Sequence, residues 1–189
     1  MKRAAQIIIA TTLALGPAAV FAQSQGMQHG MGGGMMRGPA GMLTSQDDNS
    51  ATDMGLVMDL VHYNTKIPRT VTRLPDGIKT FTESDDPKVA QAIKADVASM
   101  AWRLNDGKEF NIFSTTLPVI FDNSKSIKSV VEMTGKGAIV TRTSTDAKVV
   151  AVLQAHAGEV TELVQEGPTA FHRGLNARMA WVPTARAGR

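Results

Sequence analysis

The sequence predicts an α+β fold: an internally duplicated helix-hairpin-helix unit forming a four-stranded antiparallel sheet with helices packed on one face. Three observations predict it. First, residues 67–107 fall on residues 127–167 under a shift of 60 positions without a gap. Ile67/Ile127, Val71/Val131, Gly77/Gly137, Asp86/Asp146, Val89/Val149 and Gly107/Gly167 are identical pairs. Second, each copy carries two short alternating runs around a glycine-containing turn, the signature of a hairpin. Third, each copy closes with a long segment whose apolar residues recur every three or four positions.

The elements follow in order. Met54, Val57, Met58 and Val61 give residues 54–63 an apolar helical face. Ile67 to Leu74 alternates as a strand, and Pro75-Asp76-Gly77 forms the turn, with proline presetting φ and glycine free to take a positive one. Ile78 to Glu83 returns. Asp86 caps the next helix and Pro87 occupies its first position, where a missing N–H costs nothing. That helix ends at Gly107. The second copy repeats these signals with Gly135-Lys136-Gly137 as the turn, Asp146 as the cap and Gly167 as the stop. Its leading helix, near Thr116 to Lys125, is interrupted by Pro118. The copies span about residues 54–107 and 114–167, within a domain of residues 51–175. Residues 176–189, with Arg178, Arg186 and Arg189 around Trp181, are expected to be a disordered tail.

Residues 1–22 carry the marks of a secretory signal peptide. Lys2 and Arg3 precede an apolar run too short to span a bilayer, and Val20-Phe21-Ala22 offers small residues for cleavage. The expected location is the periplasm. Cleavage removes two of the 20 basic residues and none of the 17 acidic ones, so the net charge falls from +3 toward neutrality. Nucleic acid is therefore not an expected partner. No later apolar run is long enough for a transmembrane segment. With no cysteine in the chain, disulfides and cysteine-held clusters are excluded.

Residues 23–50 are rich in glycine and methionine and should not fold alone. The thioethers of Met27, Met31, Met35, Met36 and Met42, with the imidazole of His29, are ligand types suited to Cu(I). A flexible linker with incidental methionines is the alternative.

Within the domain, the long helices differ at one instructive place. Asp96 follows Ile93 by three residues and precedes Met100 by four; His156 stands 60 positions after Asp96, between Leu153 and Val160 at the same spacings. Both belong on or beside the buried stripe. A buried ionisable group wants a partner. If the helices cross there, Asp96 would orient His156 and raise its pKa. Asp96, Met100 and His156 could then hold copper, or His156 and Met100 could ligate haem. The competing reading is a polar pair in a helix interface with Met100 as core filler. His62, four residues beyond Met58, is expected to be exposed, and so is His172.

Thr82-Glu83-Ser84-Asp85-Asp86-Pro87-Lys88-Val89 with Ile93, and Thr143-Ser144-Thr145-Asp146 leading to Leu153-Gln154-Ala155-His156-Ala157, resemble a repeated motif. It is that of a family of small exported bacterial proteins whose function is uncharacterised, with the pattern T-x-S-D-D-P-x-V…I-x-x-H. The resemblance spans roughly residues 53–170 and implies histidine at the last motif position of both copies. His156 and Met100 fit that pattern and Asp96 departs from it. The resemblance implies no activity.

An enzyme is the least supported class, since neither Gly-x-Ser-x-Gly nor His-Glu-x-x-His occurs. The expected function is copper sequestration or delivery without turnover. A metal-free module binding an exported protein partner and a non-covalent haem protein are the alternatives.

Overall fold

A computed structural model describes residues 47–180. Residues 1–22, expected to be a signal peptide, the methionine-rich residues through 46 and the end of the expected tail from residue 181 lie outside the described residues. The described chain is α+β, with a four-stranded antiparallel sheet and five helices.

Helix α1 is Ser50–His62. It begins earlier than the apolar spacing suggests because the Asp47 amide donates to Ser50 Oγ (2.9 Å) and Ser50 Oγ donates back to Asp47 Oδ1 (3.1 Å). A single 3-10 turn leads into β1 (Arg69–Leu74), which pairs with β2 (Gly77–Glu83). Helix α2 (Pro87–Asp106) is capped as expected, the Asp86 carboxylate accepting from the Lys88 and Val89 amides at 3.0 and 3.4 Å. It ends at Gly107 in the left-handed region (φ 67°).

Helix α3 (Leu117–Asp122) tolerates Pro118 because the proline falls in its first turn, where no intrahelical N–H is required. Strands β3 (Lys128–Met133) and β4 (Gly137–Thr143) form the second hairpin, and α4 (Ala147–Glu166) follows, capped by Asp146 through the Lys148 amide at 2.7 Å. The expected stop at Gly167 is real but brief. The chain turns there and enters α5 (Pro168–Ala180), a helix the sequence reading did not place. Pro168 marks its start, and Ala170, Phe171 and Arg178 are buried on its inner side. The tail assigned to residues 176–189 therefore has its first five residues inside α5.

The strand order is β1-β2-β4-β3. At the centre of the sheet Thr80 lies opposite Val140, while Gly77 faces Thr143 and Glu83 faces Gly137. Each strand end thus meets the other's start, and the crossing has glycine on both sides. A Cβ at Gly77 would lie 2.0 Å from the Arg142 carbonyl oxygen, and one at Gly137 would lie 2.1 Å from that of Thr82. Close backbone approach, not the positive φ expected at Gly77, demands these glycines; among the described glycines only Gly107 and Gly167 have positive φ. Gly77→Ala or Gly137→Ala should each cost about 1–3 kcal/mol through forced backbone shifts. Gly158→Ala, at an exposed helical site with open space around it, should instead stabilise by about 0.5–1 kcal/mol. Urea denaturation midpoints of the three variants check this.

The helices cover the face carrying Ile78, Thr80 and Ala138, which are buried, while Phe81 and Val130 on the opposite face are exposed. Ile78 packs with Val149, Leu153 and Ala157 of α4, Leu104 of α2, and Leu117, Ile120 and Phe121 of α3. A second cluster joins Val61 of α1, Phe110 and Ile112 of the α2–α3 connection, and Phe171 of α5. Helix α2 sits mainly over β4 and β3, and α4 over β2 and β1; the two share little direct contact. Their separation overturns the expected crossing at Asp96 and His156. The space between them is the cavity described next.

Candidate functional site

Asp96 and Met100 from α2 and His156 from α4 line one cavity of about 150 Å³. Most of the remaining wall is apolar: Val57 and Leu60 from α1, Ile93 and Val97 from α2, Val160 and Leu163 from α4, and Ile112 and Phe113 from the connection. Arg69 of β1 and Thr82 of β2 complete the polar part of the lining, together with Asn111. The three domain residues singled out in the sequence are therefore brought to one place, but with partners other than those expected.

His156 is not held by Asp96. Its Nδ1 lies 3.0 Å from Thr116 Oγ1 and 3.4 Å from Glu159 Oε2. Glu159 is the organising group: its carboxylate accepts from Thr116 Oγ1 (2.6 Å), the Thr115 amide (3.0 Å), Thr115 Oγ1 (2.6 Å) and Ser114 Oγ. Because Thr116 gives its single proton to Glu159, its oxygen can only accept from His156, which places a hydrogen on Nδ1 and leaves Nε2 a bare acceptor. Burial lowers the His156 pKa, against the opposing pull of Glu159, and Arg142 and Arg69 add to the lowering. The imidazole is neutral, whereas pairing with Asp96 would have raised its pKa.

Burial also pushes Glu159 up, but hydrogen bonds from His156, Ser114, Thr115 and Thr116 outweigh it and hold the carboxyl at about 2. A folded-state pKa below the ordinary 4.5 contributes stability that is present above pH 4.5 and is lost as pH falls toward 2. Glu159→Gln should remove on the order of 2–3 kcal/mol at neutral pH and flatten the acid limb between those values. Stability followed by chemical denaturation from pH 2 to 7 checks the slope.

Asp96 behaves oppositely. Burial first and the nearby Asp53 carboxylate second raise it, against Arg142, to about 6. Among the described residues it has no hydrogen-bond or salt-bridge partner within bonding distance.

Arg69, like Arg142 and Glu159, does not figure among the site residues expected from the sequence. Its Nη1 donates to Thr82 Oγ1 at 2.7 Å, and its Nε is buried without a partner. Arg142, on β4, also has a buried Nε without a partner. Neither guanidinium forms a salt bridge within 4 Å among the described residues. Burial, with Arg142 alongside, lowers Arg69 to about 10. Burial lowers Arg142 as well, with Asp96 its opposing charge. A signal for both was available: Arg69 shares strand parity with Val71, and Arg142 with Ala138 and Val140, so each places a charge on the inward face.

Other expected residues lie elsewhere. Met54 packs against the cluster around Val61, whereas Met58, His62 and His172 are exposed. Met27, His29, Met31, Met35, Met36 and Met42 lie outside the described residues. Among the described residues, no group of three or more His, Cys, Asp or Glu side chains is arranged to hold a metal ion. No described helix is long and apolar enough to cross a membrane. Comparison with protein-family models, curated proteins and solved structures finds no match for this chain.

Proposed function

We propose that this chain is an exported, periplasmic binding protein that holds a small ligand in the cavity between α2 and α4 without turning it over. One observation carries the reading: Arg69, Asp96 and His156, from three different elements, reach a mostly apolar cavity with hydrogen-bonding capacity unused among the described residues. An apolar cavity with a few converging polar groups is the usual form of a small-molecule site. The polar chemistry speaks for binding rather than catalysis. Ser114 and Thr116 give their protons to Glu159, so neither hydroxyl is activated by His156.

The volume sets the scale of the ligand. A dry apolar cavity of roughly 150 Å³ accommodates benzene, and a haem macrocycle is several times larger. Benzene should raise the melting temperature of the wild type and leave Val160→Trp, which fills the cavity, unmoved. Absence of a shift in the wild type would remove this reading.

Copper is the second reading, favoured by the neutral His156 with its bare Nε2 beside Met100 in the same cavity. The guanidiniums of Arg69 and Arg142 work against a cation there. If copper is the ligand, Cu(I) titration should lose affinity in His156→Ala, and deletion of residues 26–42 should lower the stoichiometry. Unchanged titrations in both variants would end it.

The sheet register also supports an origin by duplication. Strands β2 and β4 and helices α2 and α4 recur 60 residues apart, and the central pairing exchanges each strand with its counterpart. On this reading Asp96 and His156 are one ancestral position that has diverged.

A further inference from the structure

We infer that the ligand is a small amphipathic monoanion, an apolar body about the size of one ring carrying a carboxylate, with its anionic end on Arg69. This deepens the cavity-binding reading and rests on it. The observation behind it is charge without a partner among the described residues. Arg69 lines the cavity, and among the described residues its Nε is buried and unbonded and its one side-chain hydrogen bond goes to the neutral Thr82 hydroxyl at 2.7 Å. Arg142, whose Nε is also buried and unbonded, adds a second positive charge close enough to disfavour the first. Removing a guanidinium from water without an opposing charge is costly, and proteins ordinarily pair it. A planar guanidinium with free donors is matched by a carboxylate, which can take two parallel hydrogen bonds.

The other polar groups suit the same occupant. Asp96, already shifted toward its neutral form, can take a proton and donate it to the anion. His156, with Glu159 behind its Nδ1, can be protonated at Nε2 and do likewise. The apolar body would rest against Val97, Val160 and Phe113. An inorganic anion would leave those walls dry and unfilled, so it fits less well than an amphiphile.

The test compares benzoate, benzyl alcohol and acetate by calorimetric titration of the full mature chain at low salt. Benzoate should bind at least tenfold more tightly than either of the others. Arg69→Met should cut benzoate affinity at least tenfold and leave benzyl alcohol unchanged. The same variant should melt at or above the wild-type temperature without ligand, because it removes a half-buried charge with no opposing charge within 4 Å among the described residues; a merely structural arginine would lower it. Should Arg69→Met fail to fold, Arg142→Met and the wild-type comparison of the three ligands still decide the matter. Equal binding of benzoate and benzyl alcohol would overturn the anion while leaving the cavity as a binding site. Tightest binding by acetate would replace the amphiphile with a simple anion site. No binding by any of the three would overturn both readings.

Discussion

Arg103→Met should destabilise the fold by about 3–5 kcal/mol, the largest loss expected from one substitution, because it leaves buried carboxylate charge unpaired. Arg103 is fully buried at the C-terminal end of α2. Its Nε donates to Asp53 Oδ2 at 2.6 Å, and its Nη1 and Nη2 donate to Asp47 at 3.0 and 2.8 Å. Ser99 donates to the other Asp53 oxygen at 2.6 Å, and the guanidinium lies 5.2 Å from the Phe110 ring centroid. Burial opposes the charge, but the two carboxylates outweigh it and raise the Arg103 pKa. Asp47, held at about 2 chiefly by its hydrogen bond from Arg103, belongs to the same unit. The network ties the start of α1 to α2, and α1 walls the cavity through Val57 and Leu60. Equilibrium denaturation should therefore show a loss in Arg103→Met that Asp53→Asn together with Arg103→Met partly restores.

Asp96→Asn should move stability the other way, raising it by up to about 3 kcal/mol above pH 6. The folded-state pKa of about 6 stands above the ordinary 3.8, so the fold favours the protonated acid. That preference contributes fully below pH 3.8 and is lost as pH rises through 6. The wild type should accordingly weaken across that window while Asp96→Asn stays flatter. A chain that keeps a destabilising carboxylate at a cavity wall is accepting a cost usually associated with function. Thermal melts of both proteins from pH 4 to 8 measure the difference.

Much of the fold was legible because its signals are local. Asp86 and Asp146 read as caps from their place before the long helices, and Gly107 and Gly167 as stops from the end of each apolar stripe. Helix α5 escaped because Gly167 reads as an ending, and because its buried residues, Ala170, Phe171 and Arg178, are too few to form a repeating apolar stripe. The site was half legible. Asp96, Met100 and His156 stand on helical stripes, so periodicity placed them inward, and they do share a cavity. Their partners depend on tertiary geometry. Glu159 is the exception, three residues after His156 on the same helix, but Thr116 comes to His156 from the α2–α3 connection and Arg69 reaches the cavity from a strand far away in sequence. The separation of α2 and α4 could not be read from either helix alone, because a stripe specifies which side is inward and leaves open what fills the space.

The cavity between α2 and α4 is the proposed ligand site. Titrating benzoate into methyl-labelled protein and following the resonances of Ile93, Val97 and Val160 tests this most directly. Saturable shifts are expected at these cavity methyls, with Val130, on the outer face of the sheet, unmoved. Shifts at Val130 with the cavity methyls silent would contradict this assignment.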